Sequence, residues 1–497
     1  MIGSTGLRQD WSEIWRTGLL PGALAGLVGG LVFGATMSGI GQLTAISSMA
    51  HIDSAPVGFI IVLVGATLIG AGFGALVWYQ QPGAGETLFW GLVYGTFWWY
   101  LGPLTLLPLV RGDGVTWTLD STQAAFSVLP GLVLYGATLG LALVFFQWRQ
   151  HYPDKPLHIN GGALFRGGLA GLFAAGLLGA ALNSQNQLLN ATNLTEDASK
   201  LAAWLITLLI GVLAGLGFAL LYPRPTDGAG AGLIRGTVYG FFWWVLAPLT
   251  LVPLFGGAGL AWSLEEVQAV VFAALPGYLL FGAAVALFYQ WLGGLVNLLF
   301  SDIIGGTSDE GVGTQGLRIV GRSALAGLVG GLLFSLLMFQ IGFLNSVADL
   351  VGATSPLVGF FVHLGISILI GTSYGVLFHR QTYDVGSALG WGVSYGFFWS
   401  ILGPVTLMPI FLGSTPQWTV GAVASTFPNL IGHLAYGAGL GGIFYLLEAR
   451  FSPWWIPRRQ AQAVLVARQK EQVLTAAPAL WTLLVAIGLT LPVLLGS

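Results

Sequence analysis

A succession of apolar runs, each about 20 residues long, is the feature that most limits what this chain can fold into. A helix needs about 20 apolar residues to cross the hydrocarbon core of a bilayer. Only 7% of the 497 residues are charged, whereas soluble domains carry roughly 25%, so little of the surface can be hydrated. Backbone groups in lipid must be satisfied within their own segment, which selects helices. We therefore predict an all-α, polytopic membrane bundle of about 13 transmembrane helices, near 17–37, 57–79, 88–110, 120–147, 164–182, 201–222, 233–255, 264–290, 323–343, 357–378, 387–411, 419–446 and 475–495.

One motif in these runs occurs three times. It reads GTFWWYLGPLTLLPLV from Gly95, GFFWWVLAPLTLVPLF from Gly240 and GFFWSILGPVTLMPIF from Gly396. The prolines of the motif and the Trp residues after it keep the same spacing of 145 and 156 residues, which indicates internal triplication. The predicted domains are unit 1 (1–150), unit 2 (151–300, with an interfacial connector) and unit 3 (301–450), each with four helices, followed by a cytoplasmic amphipathic linker and a C-terminal helix (451–497).

The number of helices in each unit sets the symmetry of the bundle. Four helices return the chain to its starting side, so the units are predicted to be parallel repeats around a pseudo-threefold axis along the membrane normal. Fifteen of the seventeen Lys and Arg residues lie on one side when the N-terminus is placed in the cytoplasm, and Arg111 and Lys200 are the exceptions. We predict a multi-pass protein of the plasma or inner membrane with its C-terminus outside.

Several classes of chemistry are excluded by what the sequence lacks. It has no Cys, so it has no disulfides or thiolate metal sites. Its net charge of −2 offers no basic field for nucleic acid. We find no phosphate-binding loop, no H-E-x-x-H motif and no intramembrane carboxylate pair. The chain is predicted to be neither an enzyme nor a metal protein, with membrane lipids as its partners.

The repeated P-x-T-x-x-P element predicts a helix kink in each unit. Pro103 lacks the N–H that would bond the carbonyl of Trp99, and its ring clashes there. Thr105 is predicted to donate to the carbonyl of Leu101 instead. The kinks either only shape the bundle, or they meet near the axis and line a path with neutral oxygen donors. The residues concerned are Pro103, Thr105, Pro108, Pro248, Thr250, Pro253, Pro404, Thr406 and Pro409.

A cluster of Trp residues lies about one turn before the first proline of each motif. Buried aromatic side chains commonly fill space between membrane helices. Their faces could alternatively stack on a flat cofactor or on a quinone-like ring. The cluster comprises Trp98, Trp99, Trp243, Trp244 and Trp399.

Unit 3 departs from its siblings by placing His363, His433 and Asn429 inside apolar runs. An ionisable group inside a membrane helix is a functional hypothesis by default. The two histidines are interpreted as haem b ligands, as a proton or polar site, or as neutral packing groups. Haem ligation requires equal depth, and His433 lies four turns from Thr419 unless Pro428 moves the helix start inward.

Two functional hypotheses follow. The first is a passive or facilitative conduit for a small neutral or weakly charged solute, built on the three kinks. The second is a non-catalytic membrane subunit of a respiratory or photosynthetic complex, which scaffolds other membrane subunits or holds lipid, quinone or haem. A transported solute favours the first, and a bound cofactor or a copurifying partner favours the second.

Overall fold

The computed structural model describes residues 11–450 apart from 79–82, 113, 116, 152–159, 193–198, 224–228, 261, 269–271, 293–311 and 383. This part of the chain is helical and contains no strand. Eleven of its helices are long and apolar enough to cross a membrane. The chain is therefore an integral, multi-pass membrane protein.

Twelve long helices, here α1 to α12, follow one another along the described residues. The third, seventh and eleventh of them contain a π-helical turn near the C-terminal end. The helices are α1 Trp11–Gly39, α2 Ala55–Val77, α3 Ala84–Leu101 continued by Gly102–Leu106 and Leu107–Arg111, α4 Leu129–His151, α5 Gly161–Ser184, α6 Lys200–Leu221, α7 Ala229–Phe255, α8 Leu275–Leu292, α9 Val312–Gln340, α10 Pro356–Phe378, α11 Val385–Phe411 and α12 Phe427–Arg450.

Most of the sequence-based helix positions are reproduced, but the helix predicted at 264–290 begins at Leu275 and the helix predicted at 323–343 begins at Val312. Helix α3 is absent from the eleven strongly apolar helices, because Trp and Tyr side chains replace aliphatic ones along it. The helices predicted to start at 120 and 419 are each broken. Short helices at Leu119–Ala124 and Val420–Ser425 precede α4 and α12. The thirteenth helix, the amphipathic linker and the connector after α8 lie outside the described residues.

Small residues bring the helices into backbone contact within each unit. A Cβ added at Gly91 of α3 would overlap the carbonyl oxygen of Gly136 in α4, and the reverse substitution would overlap the carbonyl oxygen of Gly91. Lipid does not drive helices together by hydrophobicity, so close packing of this kind has to stabilise the pair. In each unit the first helix packs against the second and the fourth, and the fourth packs against the third.

Tyrosine hydroxyls tie neighbouring helices at corresponding places. Tyr94 donates to the carbonyl of Ile69 at 3.0 Å, and Tyr239 donates to the carbonyl of Ala214 at 2.8 Å. In unit 3 the Tyr395 hydroxyl instead bonds Ser373, whose hydroxyl reaches the Ile370 carbonyl. Each such bond joins the second helix of a unit to its third and satisfies a buried hydroxyl.

The units contact one another in chain order. Helix α3 of unit 1 contacts α6 of unit 2, and α7 of unit 2 contacts α10 of unit 3. Helix α7 also contacts α4 and α11, and 16 of the residues from Ala229 to Leu246 are buried. Unit 2 therefore contacts both other units, mainly through α7, and the pseudo-threefold arrangement stays a prediction.

Candidate functional site

The first four residues of each P-x-T-x-x-P element lie in a π-helical turn, and this corrects the predicted hydrogen bond of its Thr. Thr105 donates to the carbonyl of Tyr100 at 2.7 Å, five residues back, and not to that of Leu101. Thr250 and Thr406 do the same toward Val245 and Ile401 at 2.7 and 2.8 Å. A π turn brings the carbonyl five residues back into reach, which α-helical geometry does not. Pro108, Pro253 and Pro409 follow in the short α-helical turns after the π segments.

The indole of the Trp residue that follows each motif donates a hydrogen bond to this π-helical turn. The Trp117 indole donates to the Thr105 hydroxyl at 3.2 Å, and Trp418 donates to Thr406 at 3.0 Å. In unit 2 the Trp262 indole donates to the Leu249 carbonyl at 3.0 Å. A hydroxyl has one proton and two lone pairs. The proton and one lone pair of Thr105 and Thr406 are therefore used inside the protein.

The five clustered Trp residues do not form one group. Trp98, Trp243 and Trp399 each lie edge-on to the Tyr four residues earlier in the same helix, with ring centroids 6.2 Å apart in all three pairs. Trp99 is fully buried and donates to the Ala125 carbonyl at 2.8 Å, and Trp244 is buried in α7. Edge-to-face pairs are a favourable aromatic arrangement. Of the five, Trp399 lines a cavity described next.

A cavity of about 320 Å³ lies among the four helices of unit 3, toward the predicted outer end. We call it the unit 3 cavity. Its walls are almost entirely apolar, and the residues that matter below are Phe334, His363, Ser367, Leu369, Trp399, Pro404, Phe411, His433 and Tyr436. The structure thus brings together the two predicted histidines, one Trp and one kink proline.

The two histidines enter the cavity from different helices at similar depth. His363 is seven residues beyond Pro356, where α10 begins, and His433 is six residues beyond Phe427, where α12 begins. The break before Phe427 moves the helix start inward, as Pro428 suggested. Phe334 lies between the two imidazoles, with its ring centroid 5.1 Å from His363 and 4.8 Å from His433.

Hydrogen bonds fix the tautomer of His433. Its Nδ1 lies 2.7 Å from the backbone carbonyl of Asn429, and a carbonyl oxygen only accepts, so Nδ1 carries the proton. The Nε2 atom of the neutral ring is then an acceptor, and it faces Gly403 at the start of the π turn in α11. Both His433 and Gly403 line the cavity, so this acceptor lies at the cavity wall.

His363 is held by two serines. Its Nδ1 lies 2.9 Å from Ser335 Oγ, and its Nε2 lies 3.4 Å from Ser367 Oγ. Ser335 Oγ also donates to the Gly331 carbonyl at 2.8 Å, so the imidazole Nδ1 is left to donate to Ser335. The buried ring, 6% exposed, thereby has polar partners at both nitrogens.

Asn429 contributes to this site through its backbone and not through its side chain. Its side chain is 2% exposed, and its Oδ1 has no hydrogen-bond partner among the described residues. It does not line the unit 3 cavity. The corresponding positions of His363 are Val62 and Thr207, and those of His433 are Leu132 and Tyr278, so the paired imidazoles are specific to unit 3.

A buried ion pair between units 1 and 2 was missed at the sequence level. Arg235 Nη2 lies 2.6 Å from Glu86 Oε1, and the two residues are 2% and 8% exposed. The Tyr222 hydroxyl lies 3.3 Å from Glu86, and its ring lies 5.1 Å from the Arg235 guanidinium. A signal existed, because Arg235 occupies the position that holds Trp90 and Trp391 in the other units.

The described residues contain no cluster of three or more side chains suited to hold a metal ion. No protein-family model, no curated protein and no solved structure matches the chain.

Proposed function

We propose that this membrane protein is non-catalytic and holds a lipid-soluble ligand with a hydrogen-bonding ring, of the quinone or quinol class, in the unit 3 cavity. This is the second of the two hypotheses from the sequence. The observation that carries it is the convergence of two imidazoles, that of His363 buried and that of His433 half-buried, on an apolar cavity of about 320 Å³, a volume in the lower range of small-molecule sites.

The ligand enters from the bilayer in this proposal. Leu369 of α10 and Phe411 of α11 line the cavity, and each is 71% exposed. We place the entrance of the ligand at these two exposed side chains. An opening there admits a hydrophobic molecule from the membrane and does not require it to cross water.

The polar groups of the unit 3 cavity favour a ligand whose ring carries oxygen substituents. His433 Nε2 offers an acceptor to a hydroxyl, and Trp399 and Phe334 offer aromatic faces to a flat ring. Haem b is a poorer fit, because Phe334 separates the imidazoles and His363 Nε2 already lies 3.4 Å from Ser367. The Tyr436 hydroxyl is used to bond the Ser367 carbonyl at 2.7 Å.

The conduit hypothesis receives less support. It relies on Thr hydroxyls free to bind a solute, whereas Thr105 and Thr406 each donate to a carbonyl and accept from an indole. We propose that the kinks shape three parallel units, with the N-terminus in the cytoplasm and the C-terminus outside. A cofactor-holding role of this kind suits a subunit of a larger membrane complex.

A binding experiment tests the proposal. The purified chain in nanodiscs is titrated with a short-tailed quinone, and quenching of Trp fluorescence is measured. We expect saturable quenching that is lost in Leu369→Trp, which closes the mouth of the cavity. The matched control is Leu68→Trp at the corresponding position of unit 1, where Leu68 is 68% exposed.

Replacement of the two histidines tests whether the ligand is bound through hydrogen bonds to the imidazoles or only through the shape of the cavity. His433→Leu and His363→Val copy the residues of unit 1 and should fold, since those side chains are accepted there. Loss of one hydrogen bond to a neutral partner is worth about 0.5–1.5 kcal/mol, so we expect the quinone affinity of His433→Leu to fall about 2- to 10-fold. Equal quenching in Leu369→Trp and in the wild-type chain refutes the proposed site.

A further inference from the structure

The Trp that follows each kink motif is buried in two units and exposed in the third. Trp262 of unit 2 is 0% exposed and Trp418 of unit 3 is 2% exposed, whereas Trp117 of unit 1 is 74% exposed. The loop that carries this Trp therefore has a covering surface in units 2 and 3, and it lacks one in unit 1.

The covering surface belongs to the preceding unit. A Cβ added at Gly277 of α8 would lie 2.7 Å from the Trp418 ring and 2.8 Å from Leu178 of α5, so Trp418 packs into a notch between two helices of unit 2. At the preceding boundary, Leu260 of unit 2 packs on Gly39 at the end of α1, since a Cβ added at Gly39 would lie 3.0 Å from Leu260 Cδ1. The same loop thus docks on the same side of its predecessor twice.

Trp117 is already held in place for a similar contact. Its indole bonds Thr105 as that of Trp418 bonds Thr406, at 3.2 and 3.0 Å. Phe97 on the same edge of unit 1 is 48% exposed, whereas the corresponding Phe398 is 8% exposed. We call Phe97 and Trp117 the leading edge.

Unit 3 exposes side chains on α12 at positions whose counterparts in the earlier units are buried. Pro130 of α4 and Pro276 of α8 are buried, while the corresponding Ile431 of α12 is 51% exposed. One turn further on, Leu134 of α4 is 6% exposed, whereas Ala435 of α12 is exposed. We call Ile431 and Ala435 the trailing edge.

From these two edges we infer that the protein associates with a second copy of itself, the leading edge of one chain packing on the trailing edge of the next. The contact continues an interface that the chain already makes from unit 1 to unit 2 and from unit 2 to unit 3. An interface between two different surfaces is heterologous, and it produces a ring when its rotation closes. The inference is independent of the ligand proposed for unit 3.

Site-specific crosslinking tests the contact. Trp117→benzoylphenylalanine is illuminated in membranes, and the crosslinked peptides are identified by mass spectrometry. We expect a product of twice the chain mass joined to residues 427–436. The matched control is Trp418→benzoylphenylalanine, which should crosslink within one chain to the region of Gly277. Crosslinks from position 117 to lipid alone, or to residues 451–497 of the same chain, overturn the inference.

A second measurement gives the strength of the contact. Two copies with different affinity tags are coexpressed, and the fraction that copurifies in mild detergent is measured. Truncation of a central interface aromatic costs about 2 kcal/mol or more, so Trp117→Ala should weaken association about 30-fold or more. The control Phe255→Ala removes an aromatic that is 85% exposed at the end of α7, and it should leave association unchanged. Copurification of wild-type copies at background level also overturns the inference.

Discussion

Arg235 of unit 2 and Glu86 of unit 1 form an ion pair of 2.6 Å across the boundary between the units, and both side chains are buried. Removal of one member of a buried pair leaves an uncompensated charge and costs about 3–5 kcal/mol, whereas replacement of both by apolar residues of similar size is often neutral. We therefore expect Glu86→Leu alone to lower stability by that amount. The double variant Glu86→Leu with Arg235→Met should recover most of it.

Unfolding of detergent-solubilised protein, followed by Trp fluorescence against temperature, measures both variants. If the double variant unfolds at the same temperature as Glu86→Leu alone, the expectation is wrong. The lost stability then does not come from leaving one charge unpaired.

Because α3 and α4 are in close contact, one added methyl group at Gly136 is expected to lower the stability of the protein. A Cβ at Gly136 would overlap the carbonyl oxygen of Gly91, so Gly136→Ala must separate the helices. Overpacking of this kind costs about 1–3 kcal/mol. The control is Gly65→Ala in α2, where a Cβ meets nothing within 4 Å, and helix propensity alone makes that change neutral or slightly stabilising. Thermal unfolding of the two variants should differ in this direction, and equal midpoints contradict the close packing.

The bond between Thr406 and Trp418 predicts unequal effects for the same substitution in two units. Thr406→Val removes the hydroxyl oxygen that accepts from the buried Trp418 indole, and a buried unsatisfied group costs about 1–3 kcal/mol. Thr105→Val should cost less, because Trp117 is 74% exposed. Denaturation midpoints of the two variants test the order, and a larger loss for Thr105→Val would falsify it.

The sequence predicts the parts of this fold that depend on local physics. Apolar runs of about 20 residues locate the helices, and the repeated prolines locate a distortion in α3, α7 and α11. It does not predict that Thr105 bonds Tyr100, because that choice depends on whether the turn closes as an α- or a π-helix. Pro428 did indicate the inward start of α12, which brings His433 level with His363.

Contacts between units are harder to predict from one sequence. Glu86 and Arg235 lie 149 positions apart, and nothing local indicates that α3 of unit 1 and α7 of unit 2 present them to each other. The unit 3 cavity likewise depends on four helices separated by loops. Comparison of the units helps, because both sites coincide with positions at which one unit carries a charged residue or a histidine and the other two units do not.

Three positions near the same end of equivalent helices test whether the units run in the same direction. Ser38, Ser184 and Gln340 are exposed near the ends of α1, α5 and α9, the first helix of each unit. The chain has no Cys, so single substitutions to Cys can be labelled without background. The distribution of Lys and Arg predicts that these ends face outward. A membrane-impermeant maleimide should therefore label Ser38→Cys, Ser184→Cys and Gln340→Cys in intact cells. Gln150→Cys, exposed at the end of α4, should react only after permeabilisation. A unit whose position reacts on the opposite side is inverted, and parallel repeats are then ruled out.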